Sequence, residues 1–264
     1  WKVSVGRISL YLMDPDIEHN EPWIRQISDR LYTSDHEQRL LQEIILGIGG
    51  SKVLDTLGIN YSMLHLNEGH ASFALLERLR SRLAQGLDFD AAQEEVRKSS
   101  LFTTHTPVPA GHDVFSLELM RKYFSTYWDD LGMSEAEFFK LGQNPEHPEP
   151  GFNMTVLAMK LSGYRNGVSQ KHGEVSRNMW QGLWPDMEPD DIPIHHVTNG
   201  VHMPTWIEPK FKLLLNRYFG EDWLQEHDNP AIWEFIEEVP DRELWQTHYW
   251  HKMKLINYIR YLAR

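Results

Sequence analysis

The feature that most constrains this chain is a short apolar run that breaks directly into a helix. Met63, Leu64 and Leu66 lead into Glu68-Gly69-His70, after which Leu75, Leu76, Leu79 and Leu83 recur at helical spacing. The spacing predicts a strand over 62–67, a tight turn and a helix. A second unit of this kind follows. Ser100 to Thr104 reads as a strand, and Thr106-Pro107-Val108-Pro109-Ala110-Gly111 reads as a loop, because its two prolines remove backbone donors. Strands that alternate with helices imply an α/β fold on an open, mostly parallel sheet, and ligands bind such sheets beyond the carboxyl ends of the strands. Three segments fall there: Asn67 to His70, His105 to Gly111, and Asn199 to His202.

The remaining elements are read from period and punctuation. Val5 to Met13, with Ile8, Leu10 and Leu12 alternating, predicts one strand that stops at Asp14-Pro15-Asp16. Leu40, Leu41, Ile44, Ile45 and Ile48 predict a helix from Ser34-Asp35-His36-Glu37 to Gly49-Gly50. Further helices are expected at 117–131, 134–141 and 153–163, with Asn166-Gly167 as an αL cap. The acidic, proline-bearing stretch 184–193 reads as a surface loop. Ile194 to Thr198 follows as a short strand that ends at Asn199-Gly200, a pair that reads first as a tight turn with positive φ. Helices are expected at 211–218, 223–226, 231–237 and from Asp241 onward.

Composition excludes several classes. With 264 residues, 41% of them hydrophobic, the chain can bury a substantial core. Its formal charge of -12, spread along the sequence, argues against nucleic acid or an anionic membrane surface as partner. Without cysteine there is neither a disulfide framework nor a thiolate metal site, and a reducing cytoplasm is the expected setting. No run reaches the ~20 apolar residues that span a bilayer. The start at Trp1-Lys2-Val3, without an initiator methionine or signal layout, and the end within the helix-like run 252–262 read as a segment of a longer protein.

Carboxylate, imidazole and amide groups at the three strand ends supply the donors and acceptors that sugar hydroxyls need. Glu68 and His70 stand at a strand-to-helix turn, where Glu68 as a helix cap and His70 as a satisfied polar residue are the plain alternatives. His105 offers an imidazole or a carbonyl to a ligand, or is structural. Fourteen histidines raise the question of a metal, but no His-Glu-x-x-His helix occurs, and the expectation is no metal site. A two-carboxylate hydrolase needs a partner for Glu68 that the sequence does not show. No glycine-rich phosphate loop follows a strand, which leaves dinucleotides and nucleoside triphosphates unsupported.

These strand ends lie in blocks that resemble the α-glucan phosphorylases, the glycogen, starch and maltodextrin phosphorylase family, and in particular its short prokaryotic branch. The blocks are Val5 to Asp14; Asp29-Arg30-Leu31-Tyr32 with Arg39-Leu40-Leu41-Gln42-Glu43; Leu64 to His70; Thr103 to Asp113; Asn153 through Asn166-Gly167-Val168 to Ser176; and His196 to Val201. Their order is kept over nearly the whole chain. The resemblance implies a helix-rich, partial GT-B fold, with residues 1–199 as the later part of the N-terminal lobe and 200–264 as the start of the C-terminal lobe. It implies a glycosyltransferase that uses phosphate to release glucose 1-phosphate, with retention, from the ends of an α-1,4-glucan or maltodextrin.

Carried over by position, His105, the candidate catalytic residue, and Asn199 contact the glucose unit. Val168 lines its pocket, and Glu68 and His70 lie toward the acceptor glucan. The family's cofactor is pyridoxal phosphate, yet nothing here matches its lysine or the Lys/Arg cluster for substrate phosphate. No cofactor-binding residue is therefore expected in this stretch, and the isolated chain is expected to be inactive. The glutamate that glycogen phosphorylases carry after the histidine is also missing from Pro107 to His112. Many members of the family are dimers, which makes a homodimer of the parent an expectation. A non-catalytic glucan-binding module is the alternative reading.

Overall fold

The computed structural model describes residues 1–31, 33–145 and 151–263; Tyr32 of the second block lies outside them. Two compact units divide the chain, Trp1–Asn199 and Gly200–Arg264.

In the first unit the chain begins as an antiparallel hairpin, β1 (Lys2–Val5) with β2 (Ile8–Tyr11), registered Val5↔Ile8. The single strand expected over Val5 to Met13 is thus two strands. Gly6, at φ +58°, makes the turn between them in a backbone region that glycine enters without steric cost. The helix that starts at Asp35 also differs from expectation. Asp35 caps it, accepting from the Glu37 and Gln38 amides, but His36–Ile44 runs through a π turn at Ile45–Gly49 into Gly50–Thr56. Within the π turn a Cβ on Gly47 would stand 2.8 Å from Ala74 N and Phe73 Cβ, so only glycine allows this approach.

The central sheet contains β3 (Leu64–Asn67), β4 (Ser100–Thr103), β7 (Tyr164–Gly167) and β8 (His195–His196), all parallel and in that order. A short antiparallel pair, β5 (Val114–Phe115) with β6 (Phe152–Asn153), lies outside it. The α/β class and the parallel sheet agree with the sequence reading, whereas β7 corrects it. Asn166-Gly167 belongs to a strand and caps no helix, and Gly167 is absent from the positive-φ glycines, as is Gly200. The expected helix 117–131 is two, Leu117–Phe124 and Tyr127–Asp130.

The core gathers Leu66 and Phe102 of the sheet with Phe73, Leu75, Leu76 and Leu79 of the helix Phe73–Ala84. Met154–Leu161, apolar nearly all round, is buried on seven of its eight positions, as a helix without a polar face must be. Asn153 starts it, its Oδ1 accepting from Thr155 and Val156 at 2.9 and 3.1 Å. The second unit has its own smaller core of Leu214, Leu215, Phe219, Trp223, Ile232 and Val239. Its helix Asp241–Leu262 buries no residue. Among the described residues no helix is long and apolar enough to cross a membrane.

Candidate functional site at the strand ends

Parallel register sets a polar row across the carboxyl ends of the sheet. Asn67 pairs with Thr103, Thr103 with Asn166, and Asn166 with His195. On this row the Thr103 hydroxyl donates to Asn166 Oδ1 at 2.8 Å and meets His65 Nε2 at 2.7 Å. A hydroxyl has one proton to give, so His65 Nε2 carries its own and donates. Asn166 Nδ2 is directed onto Gly167 O at 3.0 Å. Thr103 and Asn166 thus satisfy each other within the row, whereas Asn67 at its edge reaches the segment beyond β4.

Beyond β3, Glu68 stands at φ 65°, ψ 178°, the single non-glycine residue with positive φ among the described residues. L residues reach that region at a cost on the order of 1–3 kcal/mol, and such residues cluster where function or tight contact holds them. Here the holding contacts are explicit. The Glu68 amide donates to Thr103 O at 2.9 Å, and its Oε1 accepts the His105 amide and, at 3.0 Å, the Thr106 hydroxyl. Glu68 makes no side-chain cap to the turn Gly69–Ala71, so the helix-cap alternative is set aside. His105 is also held through its ring, with Nε2 2.7 Å from Asn67 Oδ1.

Beyond β7, the Val168 amide donates to His172 Nδ1 at 3.2 Å, and the Val168 carbonyl accepts the Asn199 amide at 3.1 Å. Gly167 makes this possible. A Cβ there would lie 2.8 Å from His172 Nδ1 and 3.0 Å from Gly173 N. Of the residues singled out in the sequence, Glu68 and His105 are thus in direct contact, and so are Val168 and Asn199.

His70 goes elsewhere. Its Nδ1 lies 3.1 Å from Asp113 Oδ2, 3.4 Å from Glu43 Oε1 and 2.9 Å from Arg39 Nη2. Arg39 in turn bridges Glu43 at 3.3 Å and Asp113 at 3.0 Å. The Asp113 and Glu43 carboxylates raise the His70 pKa to about 9. Burial raises Glu43 to about 7, while His70, Glu43 and Arg39 hold Asp113 below its ordinary range against its own burial. Glu43, His70 and Asp113 bring three ligand-type atoms within 4.8 Å. The charge a metal ion would bring is already supplied by the Arg39 guanidinium and the His70 imidazolium, so the arrangement is an ion-pair network. It borders a cavity of about 250 Å³ lined also by Arg30, Leu31 and Leu46.

Sequence reasoning gave no role to Asn67, Thr106, Arg39, Glu43 or Asp113. One local signal was present, the i,i+4 spacing of Arg39 and Glu43 on a helix. Two further histidines of the first unit serve local contacts, His65 to Thr103 and His172 to the Val168 amide. His112, its pKa lowered by burial, bonds Thr155 Oγ1 at 2.8 Å and meets the Trp180 ring edge-on.

Comparison with known proteins adds an independent line. No family model matches the chain. It is 43% identical over its full length to a glycogen phosphorylase of Aquifex aeolicus, covering 38% of that protein. It is 41% identical over 98% of its length to a maltodextrin phosphorylase of Thermococcus litoralis, and 40% identical over 93% to a glycogen phosphorylase of Mycobacterium tuberculosis. The chain spans 31% and 29% of those two relatives, so it matches about a third of the length of each of the three.

Proposed function

Because the chain belongs, along its whole length, to the α-glucan phosphorylase family, we propose that its parallel-sheet strand ends form the glucose-binding wall of an enzyme that releases glucose 1-phosphate from α-1,4-glucan and phosphate. The observation that carries this reading is the clustering of hydrogen-bonding groups at the ends of adjacent strands. His105 is fixed by Asn67 and Glu68, and Asn199 is tied to Val168. In this reading residues 1–199 are the later part of the N-terminal GT-B lobe and 200–264 begin the C-terminal lobe. His105 and Asn199 bind the terminal glucose, Val168 lines its pocket, and Glu68 and His70 lie toward the rest of the glucan.

Pyridoxal phosphate is the family's cofactor. These strand ends do not fit it. The group needs an amine for its aldehyde and cations for its phosphate, whereas the strand ends offer a carboxylate, imidazoles and amides. Lys171, the nearest lysine along the chain from Val168, is ion-paired with Glu174 at 2.9 Å. The role assigned to these residues is accordingly to bind and orient the sugar, and the cofactor and phosphate are assigned to other parts of the enzyme. By itself the chain binds glucan without turning it over. Its lack of cysteine suits a reducing compartment, and we place the enzyme in the cytoplasm.

Two measurements test this. Titration of the 264-residue chain with maltoheptaose should show saturable binding, weakened about fivefold by His105→Ala or Asn199→Ala, the loss expected for one hydrogen bond of about 1 kcal/mol. Exchange of this stretch for the matching third of one of the relatives should preserve phosphate-dependent glucose 1-phosphate release, and the same two substitutions should abolish most of it. An active exchange protein indifferent to both substitutions would remove His105 and Asn199 from the site.

A further inference from the structure

Buried polar atoms with no hydrogen-bond partner among the described residues gather on one face of the central sheet, beneath its carboxyl ends. They are Thr104 Oγ1, His112 Nε2, His172 Nε2, Ser176 Oγ and Trp180 Nε1, each in a residue no more than 9% exposed. Thr104, one residue past β4, keeps the strand's alternation and so lies on the Phe102 side of the sheet. Its amide donates to Asn166 O at 3.0 Å, which sets it beside Gly167. A Cβ on Gly167 would point to that same side and lie 2.8 Å from His172 Nδ1, so Thr104 and the His172 ring are neighbours. His172, Ser176 and Trp180 then recur at four-residue spacing on one face of the helix Gln170–Met179 and the residue that ends it. The Trp180 ring meets the His112 ring edge-on, with centroids 4.9 Å apart.

The chemistry of these groups selects what they hold. Because His172 Nδ1 accepts the Val168 amide, the ring carries its proton on Nε2, and that buried atom is a donor. The Trp180 indole can only donate. Neither atom can ligate a cation, and none of the five groups is a carboxylate, an ammonium or a guanidinium, so a metal ion and an anion both lack a counter-charge there. Burial lowers the His112 pKa against the pull of Glu68 and Asp113, and its ring is neutral at neutral pH. The two hydroxyls give and accept. Water, which also gives and accepts, matches such a set. A buried donor or acceptor without a partner forfeits the hydration it had in the unfolded chain, and a marginally stable fold does not carry five in one place. One buried water makes about three hydrogen bonds, so five groups call for at least two.

We propose that the space between the helix Gln170–Met179, Thr104 and His112 is a binding site for a file of at least two ordered waters, which joins the segment beyond β4 to the segment beyond β7. Through His172, whose other ring nitrogen holds the Val168 amide, the waters brace the loop that Asn199 also bonds. Trp180 lines, with Pro109, Val114 and Met179, a cavity of about 220 Å³ through which the file exchanges with solvent. The site stands whether or not the strand ends bind sugar.

Water-selective NMR on the 15N-labelled 264-residue chain tests this without substrate. The His172 Nε2 and Trp180 Nε1 protons, identified by their loss in His172→Gln and Trp180→Phe, should each show dipolar cross-peaks to long-lived water. Exchanging hydroxyl protons of Thr104 and Ser176 can imitate such peaks, so a second measurement counts water itself. Oxygen-17 relaxation dispersion, which sees only the water oxygen, should lose the amplitude of at least one long-lived water in the double variant Thr104→Val/Ser176→Ala. An undiminished amplitude in that folded variant would overturn the proposal. So would His172 and Trp180 protons that show no water cross-peak in the unaltered protein, or that bond directly to the Thr104 and Ser176 hydroxyls.

Discussion

His70, two residues after the strained Glu68, and His105, whose amide Glu68 accepts, are held by opposite means. His70 is set among formal charges, with Arg39, Glu43 and Asp113 all within 3.4 Å of its Nδ1. His105 is set by an amide oxygen on its ring and a carboxylate on its main chain. The first environment fixes a charge and resists solvent, since Glu43 is only 2% exposed. The second fixes a direction and leaves the residue exposed. A network of desolvated charges is costly to break and poorly suited to change partners, whereas a ring held only by an amide oxygen can change partners without leaving an ion unpaired. A fixed charge and a fixed direction are thus divided between two histidines only 35 residues apart in sequence.

The largest expected effect comes from removal of one partner from the charged side. Arg39→Ala leaves Glu43 and Asp113 to share a single imidazolium, and with Glu43 almost fully buried the cost should be about 3 kcal/mol in chemical denaturation. Asn67→Ala, on the neutral and exposed side, should cost less than ~1 kcal/mol. Equal losses at the two positions would dissolve the contrast.

A smaller effect sharpens it through pH. The folded-state pKa of His70, about 9, lies above the ~6.5 of an unfolded histidine, so between those values the folded chain binds the extra proton. Stability from this group is complete below about pH 6.5 and is lost as pH rises through 9. Glu43, raised to about 7, adds a fall of the same sign at lower pH, between about 4.5 and 7. Because the His70 side chain is 35% exposed, the loss from pH 7 to beyond 9 should be screened to ~1–2 kcal/mol. His70→Gln should flatten denaturation midpoints across that window. A flat profile in the unaltered protein would mean that Asp113 and Glu43 do not hold an imidazolium.

The two sides were also unequally legible in the sequence. His105 and Glu68 stood out because each follows a short strand, and position at a carboxyl end is a local property. The charged cluster joins His70 to Arg39 and Glu43, 31 and 27 residues away, and to Asp113, 43 residues on, and no local pattern encodes such contacts. The sheet itself shows the same limit. β3 and β4 are apolar enough to be read, but β7 carries Arg165 and Asn166 at buried positions and has no strand-like alternation. Tertiary bonds make it a strand. Arg165 gives its guanidinium to the Met159 and Ser162 carbonyls and lies over the Trp184 ring, and β4 and β8 pair on either side. The hairpin was missed for a simpler reason, since alternation across Ile8, Leu10 and Leu12 masked the turn at Gly6.

The smallest effect isolates Glu68, the strained residue that holds the His105 main chain. Glu68→Ala and Glu68→Gly both delete the carboxylate that holds His105 and Thr106, so both lose those hydrogen bonds equally. They differ in the backbone alone. At φ 65°, ψ 178° alanine keeps the Cβ penalty that glutamate bears, and glycine relieves it. Glu68→Gly should therefore be more stable than Glu68→Ala by about 1 kcal/mol, in spite of the entropy glycine loses on folding. At Asn67, in an ordinary strand conformation, the order should reverse, with Asn67→Gly less stable than Asn67→Ala by roughly 0.5–1 kcal/mol. If alanine were the better residue at both positions, the Glu68 backbone would be relaxed in solution, and its hold on His105 would have to come from the side chain alone.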